Sequence, residues 1–88
     1  MTHPFTYIDP NAKIASNVKI DPFTVIHGEV TIGEGTHVGI GAVIIQGVKI
    51  GNWVTIGAGA IILNDVPDYA VIVGNPGKII KYNSTTNE

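Results

Sequence analysis

Residues 8–67 read, in blocks of six, IDPNAK IASNVK IDPFTV IHGEVT IGEGTH VGIGAV IIQGVK IGNWVT IGAGAI ILNDVP. Every block opens on Ile or Val: Ile8, Ile14, Ile20, Ile26, Ile32, Val38, Ile44, Ile50, Ile56 and Ile62. The fifth place is small or β-branched throughout: Ala12, Val18, Thr24, Val30, Thr36, Ala42, Val48, Val54, Ala60 and Val66. The fourth place is Asn, Asp or Gly at Asn11, Asn17, Gly35, Gly41, Gly47, Gly59 and Asp65. These residue types tolerate the left-handed backbone of a tight turn.

Each block therefore predicts a short strand and a turn, with the aliphatic inward and the fifth-place residue filling a corner. Three blocks close a triangular coil, and coils stack at the interstrand spacing of about 4.7–4.9 Å. Equivalent positions then recur after three blocks. A β-sandwich would show period-two strands of uneven length, which this unbroken repeat excludes. The expected organisation is a repeat domain over residues 1–67 and an extension over 68–82 packing on the last coil. Residues 83–88 form an expected disordered tail.

Composition agrees. Ile and Val abound while Leu63 is the only leucine, and β-branched residues favour strands. A chain of 88 residues makes one small domain, whose core alone is marginal. With no cysteine, neither disulfides nor thiolate metal sites can staple it. Self-association is the remaining route to stability. The net charge is −2 and no basic run exists, so nucleic acid is not an expected partner. The N-terminus lacks the pattern of a signal peptide, and no apolar run approaches the roughly 18 residues of a membrane span. A cytoplasmic protein with no membrane partner is expected.

The repeat assigns outward residues to faces. On the first face Val25, Val43 and Ile61 form one column, and Ile45 and Leu63 a second. A contiguous apolar patch facing outward predicts an interface, here a homotrimer contact. The second face, with Lys13, Thr31 and Lys49, is polar. The third carries Lys19, His37, Thr55, Asp21, Gly39 and Gly57. Glycines 39 and 57 predict a bare backbone ledge, open to an extended ligand or due only to turn composition. After Pro67 the register breaks. Tyr69–Val73 reads as a strand, Gly74-Asn75-Pro76-Gly77 as a turn, and Lys78–Lys81 follows.

Residues 8–67 resemble the hexapeptide-repeat acyltransferases over the whole repeat. The first coils, Ile8-Asp9-Pro10-Asn11-Ala12 and Asp21-Pro22-Phe23-Thr24, are similar to the acyltransferase that initiates lipid A synthesis. From Gly28-Glu29-Val30 through Val73-Gly74-Asn75-Pro76-Gly77-Lys78 the chain resembles the sialic acid and UDP-amino-sugar acetyltransferases, which usually have Ala where Gly77 stands. The resemblance implies an all-β, left-handed parallel β-helix of about three to four coils, assembled as a trimer. It implies acetyl-CoA as acyl donor along a groove between subunits, and a sugar or nucleotide-sugar acceptor. His37, Gly39, Gly41, Ala42, Gly57, Gly59 and Ala60 are the groove candidates, with Asn75 and Lys78 near the nucleotide end.

Acetyl transfer to a hydroxyl or amine needs a group that relays the acceptor's proton. In the resembling enzymes this is a histidine one coil before Ile26, where the present chain has Pro10. His27, with Glu29 to orient it, is the expected substitute. Its other reading is an interface histidine with a structural hydrogen bond. His27 and His37 fall on different faces, so no metal site is expected. Two functions follow. One is CoA-dependent acyl transfer. The other is a non-catalytic trimeric β-helix scaffold, a truncated, fused or engineered derivative of such an enzyme. The open edge of the first coil predicts end-to-end association of trimers.

Overall fold

The computed structural model describes residues 5–83. Ten two-residue strands recur every six residues: β1 (Tyr7–Ile8), β2 (Lys13–Ile14), β3 (Lys19–Ile20), β4 (Val25–Ile26), β5 (Thr31–Ile32), β6 (His37–Val38), β7 (Val43–Ile44), β8 (Lys49–Ile50), β9 (Thr55–Ile56) and β10 (Ile61–Ile62). Two longer strands follow, β11 (Ala70–Val73) and β12 (Lys78–Tyr82). Among the described residues there is no helix, and so none long and apolar enough to cross a membrane.

Every third strand stacks in parallel, which makes three sheets. They run β1-β4-β7-β10, β2-β5-β8 and β3-β6-β9-β11-β12. The chain is a left-handed parallel β-helix of about four turns. Backbone hydrogen bonds run between coils, as from Val25 N to Ala42 O and from His27 N to Ile44 O. A two-residue strand cannot stand alone in water, so each coil is held by the one above and below it.

The block-opening aliphatics fill the interior. Ile26, Ile44, Ile62 and Val38 are fully buried, and Ile20, Ile32, Ile50 and Ile56 nearly so. Burying each such side chain stabilises the fold by roughly 1.5–3 kcal/mol. Fifth-place residues line the corners inside, including the completely buried Thr24 and Thr36. Their hydroxyls are satisfied: Thr24 Oγ1 donates to Asp21 O at 2.7 Å and Thr36 Oγ1 to Gly51 O at 2.8 Å. Among the described residues no buried side-chain polar atom lacks a partner.

The corners hold a surprise. Left-handed backbone occurs at seven consecutive fourth places: Phe23, Glu29, Gly35, Gly41, Gly47, Trp53 and Gly59. Asn11, Asn17 and Asp65, expected to adopt it by residue type, do not. Coil closure sets this conformation, overriding the preference of Phe23, Glu29 and Trp53. Asn17 and Asp65 serve the next or previous coil with their side chains. Asn17 Oδ1 accepts from Gly35 N at 2.9 Å, and Asp65 Oδ1 from Lys49 N at 2.9 Å.

The register breaks before Pro67, not after it: Ile62 still pairs with Ile44, but Val66 bridges to Ile50, so two residues are lost between them, and the same offset carries on as Val71 pairs with Thr55 and Ile72 with Ile56. β11 still extends the third sheet in parallel, and β12 folds back antiparallel on it. The 74–77 turn, with a cis Asn75–Pro76 bond, bonds over β10: Ile61 N donates to Gly74 O and Gly77 N to Ile61 O. The expected 83–88 tail lies outside the described residues except for Asn83, whose amide donates to Tyr69 O at 2.8 Å.

Candidate functional site

Three surfaces could carry chemistry. The first is the outer side of the β1-β4-β7-β10 sheet. Val25, Val43 and Ile61 are register partners and stand in one column, each half-buried. Ile45 and the exposed Leu63 flank them. At the N-terminal end of this face Tyr7 Oη donates to Asp9 Oδ2 at 3.2 Å. The Asp9 carboxylate beside it holds the Tyr7 phenol above its usual pKa, because a second negative charge there is disfavoured.

The second surface is the corner between the third and first sheets. Phe23 stacks on Phe5, ring centroids 5.5 Å apart. Above it, Gly41 and Gly59 leave open space: a side chain at Gly59 would meet nothing within 4 Å. The neighbouring Ile40 and Ala58 are exposed. The expected ledge at Gly39 and Gly57 is not there. Their amides donate within the ladder, to Ile56 O and Ile72 O. A Cβ at Gly39 would lie 2.7 Å from Ile56 O, and one at Gly57 2.8 Å from Val73 Cγ1. Both are glycine because the next coil leaves no room. Ala42 and Ala60, expected to line the groove, are completely buried. As fifth-place residues their side chains face the core. The open space is therefore at Gly41 and Gly59, whose amides donate to Pro22 O and Ile40 O, with the 74–77 turn and the exposed Asn75 and Lys78 at the C-terminal end.

The third surface is a histidine–carboxylate pair that the sequence reading did not join. His37 opens β6, with Lys19 and Thr55 as register partners. Asp21 follows β3, and its Oδ2 lies 2.9 Å from His37 Nε2. The His37 side chain is 41% exposed and that of Asp21 25%. An ionised carboxylate only accepts, so Nε2 carries the hydrogen and, in the neutral ring, Nδ1 is left as acceptor. A signal was present. Second-place side chains lean toward the next coil, as the Cβ positions blocked at Gly39 and Gly57 show, and Asp21 occupies a second place.

His27 and Glu29 are not brought together. Both are exposed, Glu29 sits at a corner, and among the described residues no hydrogen bond or ion pair joins them. His3 lies outside the described residues. Among the described residues no three His, Cys, Asp or Glu side chains gather where a metal could bind.

The repeat has a known counterpart. The family described as bacterial transferase hexapeptide (six repeats) matches residues 11–39 and 29–64. The chain belongs to this family. No curated protein matches it in sequence. Among solved structures it is similar to a maltose O-acetyltransferase from Clostridium difficile, at 31% identity and TM-score 0.77 over 83% of this chain and 49% of that one. It is similar to the serine acetyltransferase of Neisseria gonorrhoeae, at 27% identity and TM-score 0.85 over 93% of this chain and 35% of that one. The acetyltransferase domain of PglB from Neisseria gonorrhoeae, in complex with acetyl coenzyme A, matches at 27% identity and TM-score 0.72 over 89% of this chain and 56% of that one. This member of the hexapeptide family thus spans about half the length of these relatives or less. Its structural neighbours are acetyl- and acyltransferases of the β-helix fold.

Proposed function

We propose that this chain is the coil stack of a CoA-dependent acyltransferase, moving an acetyl group to a hydroxyl or amine of a sugar or nucleotide-sugar at the subunit boundaries of a trimer. The observation that carries the reading is the likeness to a relative that holds acetyl coenzyme A. A maltose O-acetyltransferase among the similar structures supports a sugar acceptor.

The thioester supplies an activated acetyl carbonyl, and the chain's own residues bind and orient it. The apolar face of Val25, Val43, Ile45, Ile61 and Leu63 would meet its neighbour in the trimer, burying surface otherwise exposed to water. The adjoining corner at Gly41 and Gly59 leaves room for an extended arm. His37 lies on the neighbouring sheet, and Gly39 and Gly57 shape the backbone beneath. Asn75 and Lys78, at the C-terminal end of that corner, would serve the nucleotide end, where a lysine offsets phosphate charge. His27, with Glu29 beyond it, stands exposed on the rim of the apolar face, where it would relay the acceptor's proton.

Isothermal calorimetry with acetyl-CoA tests the reading. Binding in the micromolar to millimolar range, with thiol release in the presence of glucosamine or maltose, is the expected result. No binding at millimolar ligand would end it.

A further inference from the structure

We propose that the corner between the first and second sheets binds a sugar phosphate, with Lys13 and Lys49 holding the phosphate and Glu29 accepting the sugar's hydroxyls. Asn11, Lys13, Glu29, Val30, Thr31 and Lys49 line a cavity of about 190 Å³ there. The cavity lies at the other end of the first-sheet strands from Gly41 and Gly59, and the proposal does not depend on acyl transfer. Lys13, Thr31 and Lys49 are register partners on successive coils. The two lysines thus stand one coil below and one coil above Thr31, about 9–10 Å apart along the stack. Lys13, Lys49 and Glu29 are all exposed, and among the described residues none of them forms an ion pair.

The backbone of Glu29 is an independent observation. It is left-handed, with φ 61°. Phe23 and Trp53 share that conformation and lay their rings on Phe5 and over Gly35. Glu29 has no such contact within the chain, and strain kept without an internal return marks a functional position. One coil above, Gly47 leaves the corner open, since a Cβ there would meet nothing within 4 Å. Charge then selects the ligand. A phosphate monoester carries about −1.5 to −2 at pH 7, which two ammonium groups offset. Lysine's flexible stem lets both close on one phosphate. An ionised carboxylate only accepts hydrogen bonds. Glu29 therefore repels the phosphate and takes hydroxyl donors, which gives the sugar a single orientation. The Thr31 hydroxyl and the Asn11 amide serve its remaining polar groups.

Glucose 6-phosphate, inorganic phosphate, glucose and UDP-glucose are titrated into the 15N-labelled full chain, and amide NMR shifts give the affinities. Glucose 6-phosphate should bind in the millimolar range, with shifts centred on residues 11–13, 29–31 and 47–49. It should bind about tenfold more tightly than inorganic phosphate or glucose. Lys13→Met and Lys49→Met should each weaken it about tenfold, whereas Lys19→Met, on the third sheet, should leave it unchanged. Glu29→Gln should erase the preference for glucose 6-phosphate over inorganic phosphate. No binding at tens of millimolar, equal weakening by Lys19→Met, or a preference that survives Glu29→Gln overturns the site. Tighter binding of UDP-glucose overturns the choice of a monoester. Acetyl-CoA should bind both lysine variants as it binds the wild type; weaker binding there would assign the lysines to that donor and overturn the proposal. Failure of the wild type to bind acetyl-CoA removes the acyltransferase reading and leaves this one standing.

Discussion

At the scale of single residues, Phe23, Glu29 and Trp53 hold the backbone conformation that glycine holds at Gly35, Gly41, Gly47 and Gly59. For a residue with a Cβ this costs roughly 1–2 kcal/mol. Phe23 recovers part of that through its stack on Phe5, a contact of about 0.5–1.5 kcal/mol. Glu29 is exposed and has no such return. Glu29→Gly should therefore stabilise the fold by about 1 kcal/mol in urea unfolding. Loss of stability would show that the corner is not strained. Gly35 makes the converse case. Its φ is 71° and the Trp53 ring lies where a Cβ would stand. Gly35→Ala should destabilise by about 2 kcal/mol and push the ring outward. Trp53 is the only tryptophan, so its fluorescence should shift to the red.

Among the elements, β1 to β10 were legible because an aliphatic that recurs every six residues has one way to be buried. Ile26, Ile44 and Ile62 could not all face inward in any other winding. The contents of the corners were less legible. There the closing of each coil outweighs the taste of the side chain, as Phe23 and Trp53 show. Asp21 and His37 were assigned to one face from spacing alone. Their contact depended on how a second-place side chain leans, which the period does not state. The shorter register was hidden because Asp65 and Val66 keep the residue types of the repeat although Val66 already pairs with Ile50. β12 is an edge strand with Ile79, Ile80 and Tyr82 exposed, a surface that invites another strand. Lys78 and Lys81 stand on it, and Lys19 stands on β3 at the opposite edge of the same sheet. Lysines at both edges oppose the end-to-end stacking that the open first coil suggests. The double variant Lys78→Thr, Lys81→Thr should scatter more light at high concentration than the parent. Equal scattering would mean the lysines do not guard this edge.

For the molecule as a whole, a chain of 88 residues has little interior to draw on. The column of Val25, Val43 and Ile61 is a half-buried apolar stripe that it offers to a neighbour. Val43 lies between the other two, so Val43→Lys places a charge at the middle of the proposed contact. Light scattering coupled to size exclusion should then report monomer where the parent reports trimer. A trimer that persists would assign the contact to another face.

The hairpin of β11 and β12 works as punctuation. Because β12 turns back antiparallel on β11, the parallel winding ends there. The hairpin therefore closes a sentence whose length is otherwise free. Whole coils inserted ahead of Pro67 would lengthen the prism without rewriting it, and residues 66–83 grafted onto a longer relative would bring that one to a stop.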